Sequence, residues 1–290
     1  RQAGFLIAEK YRGMAEAVFD RYVNGGNLTE DQRQIMLQNK EDIIAMMLYD
    51  KIPNQRAESK ARNVFGLVQD FEAVKNLSIE ITEGEIYGLL GSNGAGKSTT
   101  INILLGFLEP DKGEAFIDGI DVTTNVDSVR KKIGYISENV NLYPYLTGIE
   151  NLNYFCKIAG EDYNDEALSK ILNDCGLDSD AINKKVGSYS KGMRQKVGIA
   201  IAFAKKAKVL LLDEPASGLD PLASTELSFT LKSLAKKGTA VLMASHDIFR
   251  VRETCDRIGI LKNGSLIDQM DTSKVTTNEL EKIYIDYMRG

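Results

Sequence analysis

The sequence predicts an α/β domain with a largely parallel sheet, preceded by a small all-α N-terminal hairpin. Three observations carry this. From about Ser59 onward, apolar strand-like runs alternate with helical patterns. One of these runs, Glu85 to Leu90, leads straight into a glycine-rich loop and then a helix-like Ile101 to Leu105. Before them, residues 1–51 space their apolar side chains at helical rather than alternating steps.

The hairpin comes first in the chain. Ile7, Tyr11, Met14 or Ala15, Val18 and Tyr22 form one apolar stripe, which Asn24-Gly25-Gly26-Asn27 interrupts. Thr29 with Gln32 three residues later resembles a capping box, opening a second helix with Ile35, Met36, Ile43, Met46 and Met47 on its apolar side. Lys51 to Glu58, polar and broken by Pro53, reads as a linker. The expected division is residues 1–58 as helical extension and linker, and 59–290 as one α/β domain. The extension is either an appendage packed on that domain or a docking or regulatory element.

Composition narrows the classes. With 43% hydrophobic and 27% charged residues the chain can bury a large core, and a net charge of −5 without a long Lys/Arg run argues against nucleic acid as a partner. Cys156, Cys175 and Cys255 are odd in number and far apart, which suits reduced thiols rather than a disulfide framework or zinc site. The longest apolar runs, such as Val197 to Ala204, fall well short of the roughly 20 residues of a membrane span. Residues 1–23 lack the pattern of a signal peptide.

The loop Gly91-Ser92-Asn93-Gly94-Ala95-Gly96-Lys97-Ser98-Thr99 fits G-x-x-x-x-G-K-[ST]. Backbone N–H groups converge on phosphate oxygens only where side chains stay clear, which Gly91, Gly94 and Gly96 allow, and the following helix points its positive end at the same place. Lys97 is then expected on the β- and γ-phosphates and Ser98 on Mg²⁺. Val209 to Leu212 form a buried apolar strand ending in Asp213 and Glu214. At a carboxyl edge, Asp213 suits Mg²⁺ and Glu214 suits a general base on water.

With these elements in order, the chain resembles the nucleotide-binding subunit of an ABC transporter. Ser188-Tyr189-Ser190-Lys191-Gly192-Met193-Arg194-Gln195 is similar to the family signature L-S-G-G-Q, with Ser190 and Gly192 as its phosphate-facing residues. Ser217-Gly218-Leu219-Asp220 resembles the loop whose aspartate couples two sites across a dimer, and Asp256 to Gly264 resembles the closing strands and hairpin. A lone histidine is ordinarily a surface or satisfied core residue. The single His246 of this chain follows the Ala240–Met243 run, in the family's switch position, where the resemblance implies contact with the γ-phosphate and orientation of Glu214.

The resemblance covers about residues 59–270 and implies a P-loop NTPase of ABC type with a helical signature subdomain over about 135–197. Two positions depart from the pattern. Glu138 stands where the family most often has a glutamine that senses Mg²⁺, so it enters as a metal candidate that adds negative charge beside Asp213 and Glu214. The position of the usual adenine-stacking aromatic is Val68, leaving Phe71 or Phe65 to substitute, Phe71 being the candidate taken forward.

By this resemblance the chain is an ATP hydrolase using ATP and Mg²⁺, with each ATP enclosed by the loop of one subunit and the signature of another. A homodimer or heterodimer of such ATPase subunits is implied, driving a separate transmembrane permease from the cytoplasmic face of the plasma membrane. A short amphipathic tail, Thr277 to Tyr287, with Leu142 to Thr147 and the Y-S-K-G-M signature, is similar to exporter-type ATPases. The alternatives are a soluble ABC-type ATPase outside transport and an ATP-binding regulatory sensor.

Overall fold

In the computed structural model, the described residues are 72–289. The expected hairpin and linker over residues 1–58, the expected domain start at Ser59, and Phe65, Val68 and Phe71 lie outside them.

The elements in chain order are β1 (Ile86–Leu90), α1 (Lys97–Leu104), β2 (Phe116–Ile117), β3 (Ile120–Asp121), α2 (Val126–Lys132), β4 (Ile133–Ile136), α3 (Gly148–Ile158), α4 (Asp165–Asp174) and α5 (Ser179–Ile182). After them come α6 (Lys191–Ala204), β5 (Val209–Asp213), α7 (Pro221–Ala235), β6 (Ala240–Ser245), α8 (Ile248–Thr254), β7 (Arg257–Lys262), β8 (Ser265–Asp271) and α9 (Thr277–Arg289). Six strands form one sheet in the order β4-β5-β6-β1-β7-β8. Its neighbours are parallel except β7 and β8, which pair antiparallel. Asn263 and Gly264, both at positive φ, close that hairpin in the left-handed geometry that matches strand twist.

The near-continuous apolar character of the central strands follows from burial on both faces. In β1, Ile86 and Leu90 join the core on one side while Tyr87 and Leu89 join the core on the other; in β5, Leu210 and Leu212 oppose Leu211 in the same way. Each such leucine contributes about 2 kcal/mol by leaving water. Helices α1 and α2 cover one face through Ile101 and Val129, and α3, α4, α6, α7 and α8 cover the other through Leu152, Leu172, Val197, Leu231 and Val251.

The helical side starts later in the chain than expected. Tyr135 and Ile136 belong to β4, paired with Leu211 and Leu212 of β5, so the first helix of this layer begins at Gly148. A hydrogen-bonded capping box between Thr147 and Glu150 opens it. Buried Asn151 ties the preceding loop to the helix: its Oδ1 accepts from Tyr143 N at 2.8 Å, and its Nδ2 donates to the carbonyls of Tyr143 (3.1 Å) and Thr147 (2.9 Å). Helix α6 runs on to Ala204 and lies so close to β4 that a Cβ on Gly134 would sit 2.4 Å from that of Ala202. Among the described residues no helix is long and apolar enough to cross a membrane.

Candidate active site

Three neighbouring parallel strands, β5, β6 and β1, end at one edge, and the glycine loop leaves β1 there. Gly91 N donates to Ser245 O at 3.2 Å and Gly264 N donates to Ala95 O at 2.9 Å, pinning the loop between β6 and the β7–β8 turn. Gly96 has φ +110°, and a Cβ there would lie 2.5 Å from the Ala73 carbonyl, so both conformation and space require glycine. No side chain caps α1. The N–H groups of Lys97, Ser98 and Thr99 therefore open toward the loop without an intrahelical acceptor, while Thr100 N bonds Gly96 O at 2.9 Å. Ser92, Asn93, Gly94 and Ser98 are exposed on the rim, and Ala95, Gly96 and Lys97 are buried beneath it.

The Lys97 ammonium donates to the carbonyls of Gly91 (2.6 Å) and Ser92 (3.2 Å) and pairs with Glu214 Oε1 at 3.2 Å. Glu214 Oε2 faces His246 Nδ1 at 2.9 Å and accepts from Ser245 Oγ at 3.2 Å. One carboxylate is thus held between an ammonium and an imidazole. Glu214 sits at φ +50°, a left-handed conformation costing a non-glycine residue about 1–3 kcal/mol, sustained by its N–H bond to Ala244 O at 2.9 Å. His246 reaches this edge because β6 extends to Ser245, beyond the expected run to Met243. Its ring stays half exposed.

Asp213 ends β5 opposite Ala244. Burial pushes its carboxyl up, the Glu214 charge adds to this, and the Ser98 hydroxyl and Lys97 pull the other way. Its Oδ1 is buried without a hydrogen-bond partner. A buried acceptor beside a hydroxyl at a phosphate loop is the hard-oxygen donor set that suits Mg²⁺. Among the described residues no cluster of three or more His, Cys, Asp or Glu side chains could hold a metal, so a cation here would rest on this oxygen, the Ser98 hydroxyl and its phosphate partners. A cleft of about 250 Å³ runs beside Glu214, past Ser217, Leu219, Ser245, His246 and Arg250.

Of the remaining expected residues, Glu138 lies near enough for its charge to add to the upward push on Asp213, and the others sit at the starts of α6 and α7. Ser190 caps α6 by accepting from Met193 N at 3.2 Å, and Asp220 caps α7 by accepting from Ala223 N at 2.9 Å. Gly192 packs on Ala223, whose Cβ lies 3.2 Å from where its own would be. Glu138 turns its Oε1 to the Ser217 hydroxyl (2.8 Å) and to Lys191 Nζ (3.6 Å). These two partners, the hydroxyl foremost, hold its carboxyl below the usual range. Sequence reasoning gave no role to Ser245, and named Ser217, Gln195 and Lys191 only as members of motifs. Only Lys191 carried a signal: a positive charge in the first turn of a helix opposes the macrodipole, which points to a nearby carboxylate.

Comparison with known proteins agrees with this geometry. Residues 74–217 match the ABC transporter family. The chain is 40% identical over 208 residues to the uncharacterized ABC transporter ATP-binding protein YhcH of Bacillus subtilis, covering 71% of this chain and 68% of that one. It is 37% identical over 200 residues to the bacitracin transport ATP-binding protein BcrA of Bacillus licheniformis, covering 69% and 65% respectively. It spans about two thirds of the length of the curated relatives it matches. Among solved structures, the ATP-binding cassette MJ0796, a dimer in a post-hydrolysis state bound to ADP and Pi, superposes with a TM-score of 0.63 at 30% identity, covering 70% of this chain and 91% of that one. With 40% identity to a curated ATP-binding relative over two thirds of its length, the chain is a member of the ABC transporter ATP-binding family, carrying its α/β ATPase cassette.

Proposed function

We propose that the chain is the ATP-hydrolysing subunit of an ABC exporter, working as a dimer of ATPase subunits beneath a separate transmembrane permease at the inner face of the plasma membrane. The observation that carries the catalytic assignment is the Glu214 carboxylate, bracketed by Lys97 at 3.2 Å and His246 at 2.9 Å beside an open ring of loop amides. Lys97 leaves Glu214 for the β- and γ-phosphates, and the amides of residues 92–99 complete the cradle. Glu214, freed from the ammonium and still held by His246, accepts a proton from the attacking water. Ser98 and Asp213 would hold Mg²⁺, which would supply neutralisation of the phosphate charge.

Ser190 and Asp220 use their side chains on their own helices, and Gly192 packs on Ala223. They serve the loop of a second subunit, an assembly supported by the dimeric state of MJ0796. Binding favours the closed dimer and hydrolysis removes the γ-phosphate contacts that hold it. Export as the direction is supported by relatives named for bacitracin transport and linearmycin resistance. Tyr143 and Tyr154, packed edge to face at 4.9 Å, are exposed at the start of the helical layer, as are Tyr145 and Ile158, and supply apolar surface for a permease.

The test is Glu214→Gln. It keeps ATP binding and lowers turnover by at least about 100-fold. Turnover like that of the unaltered protein refutes the assignment of the base. Capture of a polytopic membrane protein by this variant from detergent-solubilised host membranes supports the permease partnership, and capture of soluble proteins alone removes it.

A further inference from the structure

Helix α6 grips the loop after β4 at two levels. Lys191 and Gln195, four residues apart and so on one face, approach the same residue, Glu138. Gln195 is 2% exposed, and its Nε2 donates to the carbonyls of Ser137 (3.3 Å) and Glu138 (3.1 Å). Lys191 Nζ lies 3.6 Å from Glu138 Oε1 and also 3.6 Å from where a Cβ on Gly218 would stand. The same Oε1 accepts the Ser217 hydroxyl at 2.8 Å, and Ser217 N donates to Glu214 O at 3.1 Å. A single carboxylate oxygen therefore joins the first turn of α6, the end of β4 and the turn that holds Glu214 at φ +50°. The charges also suit each other, since the carboxylate offsets a cation that opposes the α6 dipole.

We propose that Glu138 and Lys191 form a positioning link that carries the placement of the signature helix to the catalytic Glu214 within one chain, in place of a direct role for Glu138 in holding metal. The inference rests on the nucleotide reading above. Displacement of α6 pulls the Glu138 carboxylate, the carboxylate pulls Ser217, and Ser217 moves the backbone of Glu214. The two side chains are 49% and 23% exposed, so the pair adds little to global stability and its effect falls on turnover.

A double-mutant cycle on the full chain tests this, with E138Q, K191Q and E138Q/K191Q assayed for steady-state ATPase activity and for amide exchange over residues 214–220. Each single variant is expected to lower kcat about three- to ten-fold with KM for ATP held within about two-fold, the double variant losing no more than the stronger single. Exchange over residues 214–220 rises in K191Q, although Lys191 does not touch Glu214, and Tm moves by less than about 2 °C. Losses that multiply in the double variant overturn the link, as does exchange that stays unchanged. So does a greater than about ten-fold rise, in E138Q but not K191Q, in the Mg²⁺ needed for binding of a fluorescent ATP analogue, since that pattern makes Glu138 a metal ligand. Failure of the unaltered protein to bind the analogue sinks the nucleotide reading instead, and the exchange measurement, which needs no nucleotide, still reports on the link.

Discussion

At the carboxyl edge of the sheet, Lys97 and His246 each hold Glu214 within 3.2 Å, anchored by strands buried on both faces. On the helical side, Ser190 and Asp220 cap their own helices and remain exposed, beside the partly exposed Lys191–Glu138 pair. The first region is closed electrostatically within the chain; the second leaves its polar groups facing outward. The difference separates a carboxylate prepared for chemistry within one chain from exposed groups that the proposed function assigns to a second subunit.

The largest break in this contrast comes from Lys97→Met, which removes the ammonium from the catalytic edge and leaves the helical layer untouched. ATP affinity measured by calorimetry falls about 10- to 100-fold, the worth of charge-assisted bonds to phosphate, with helix content unchanged. Next is Gly134→Val, aimed at the seam between β4 and α6. A side chain there meets Ala202, so chemical denaturation reports a loss of about 1–3 kcal/mol from overpacking, without direct damage to Lys97 or Glu214.

The smallest effect has the opposite sign. Asp213→Asn removes a buried, unpartnered carboxylate oxygen and raises Tm by about 2–4 °C, corresponding to about 1 kcal/mol, while ATPase activity is lost. Because the Asp213 carboxyl is pushed up in the folded chain, the native state binds its proton more tightly than the unfolded chain does. Its contribution to stability is present at pH below the ordinary aspartate value near 4 and is lost as pH rises through the higher folded value. The stability gain from Asp213→Asn therefore grows across that window and is constant above it; a gain that shrinks with rising pH contradicts the burial argument.

Much of the catalytic edge was legible because its signals are local. A strand buried on both faces must be apolar throughout, and a loop that cradles phosphate must be glycine-rich, so Ile86 to Lys97 announce themselves in one short stretch. Val209 to Glu214 follow the same logic. Tyr135 was less clear, since a four-residue strand gives too few alternations to separate sheet from helical layer. Phe71 lies outside the described residues. Ser245 and Ser217 were invisible as partners because nothing about a serine's neighbours in sequence says which distant carboxylate its hydroxyl will meet.

By itself the sequence determined the α/β alternation, the phosphate loop, the acidic strand end and the lone histidine after β6, because each depends on periodicity or on residues a few positions apart. The tertiary structure alone decided that Glu214 would lie between Lys97 and His246, that Gly192 would pack on Ala223, and that Glu138 would turn to Lys191 and Ser217. Those outcomes depend on strand order and on the close packing of α6 against β4. Both are set by packing among residues far apart in the chain, where side chains compete for the same space and the same charges.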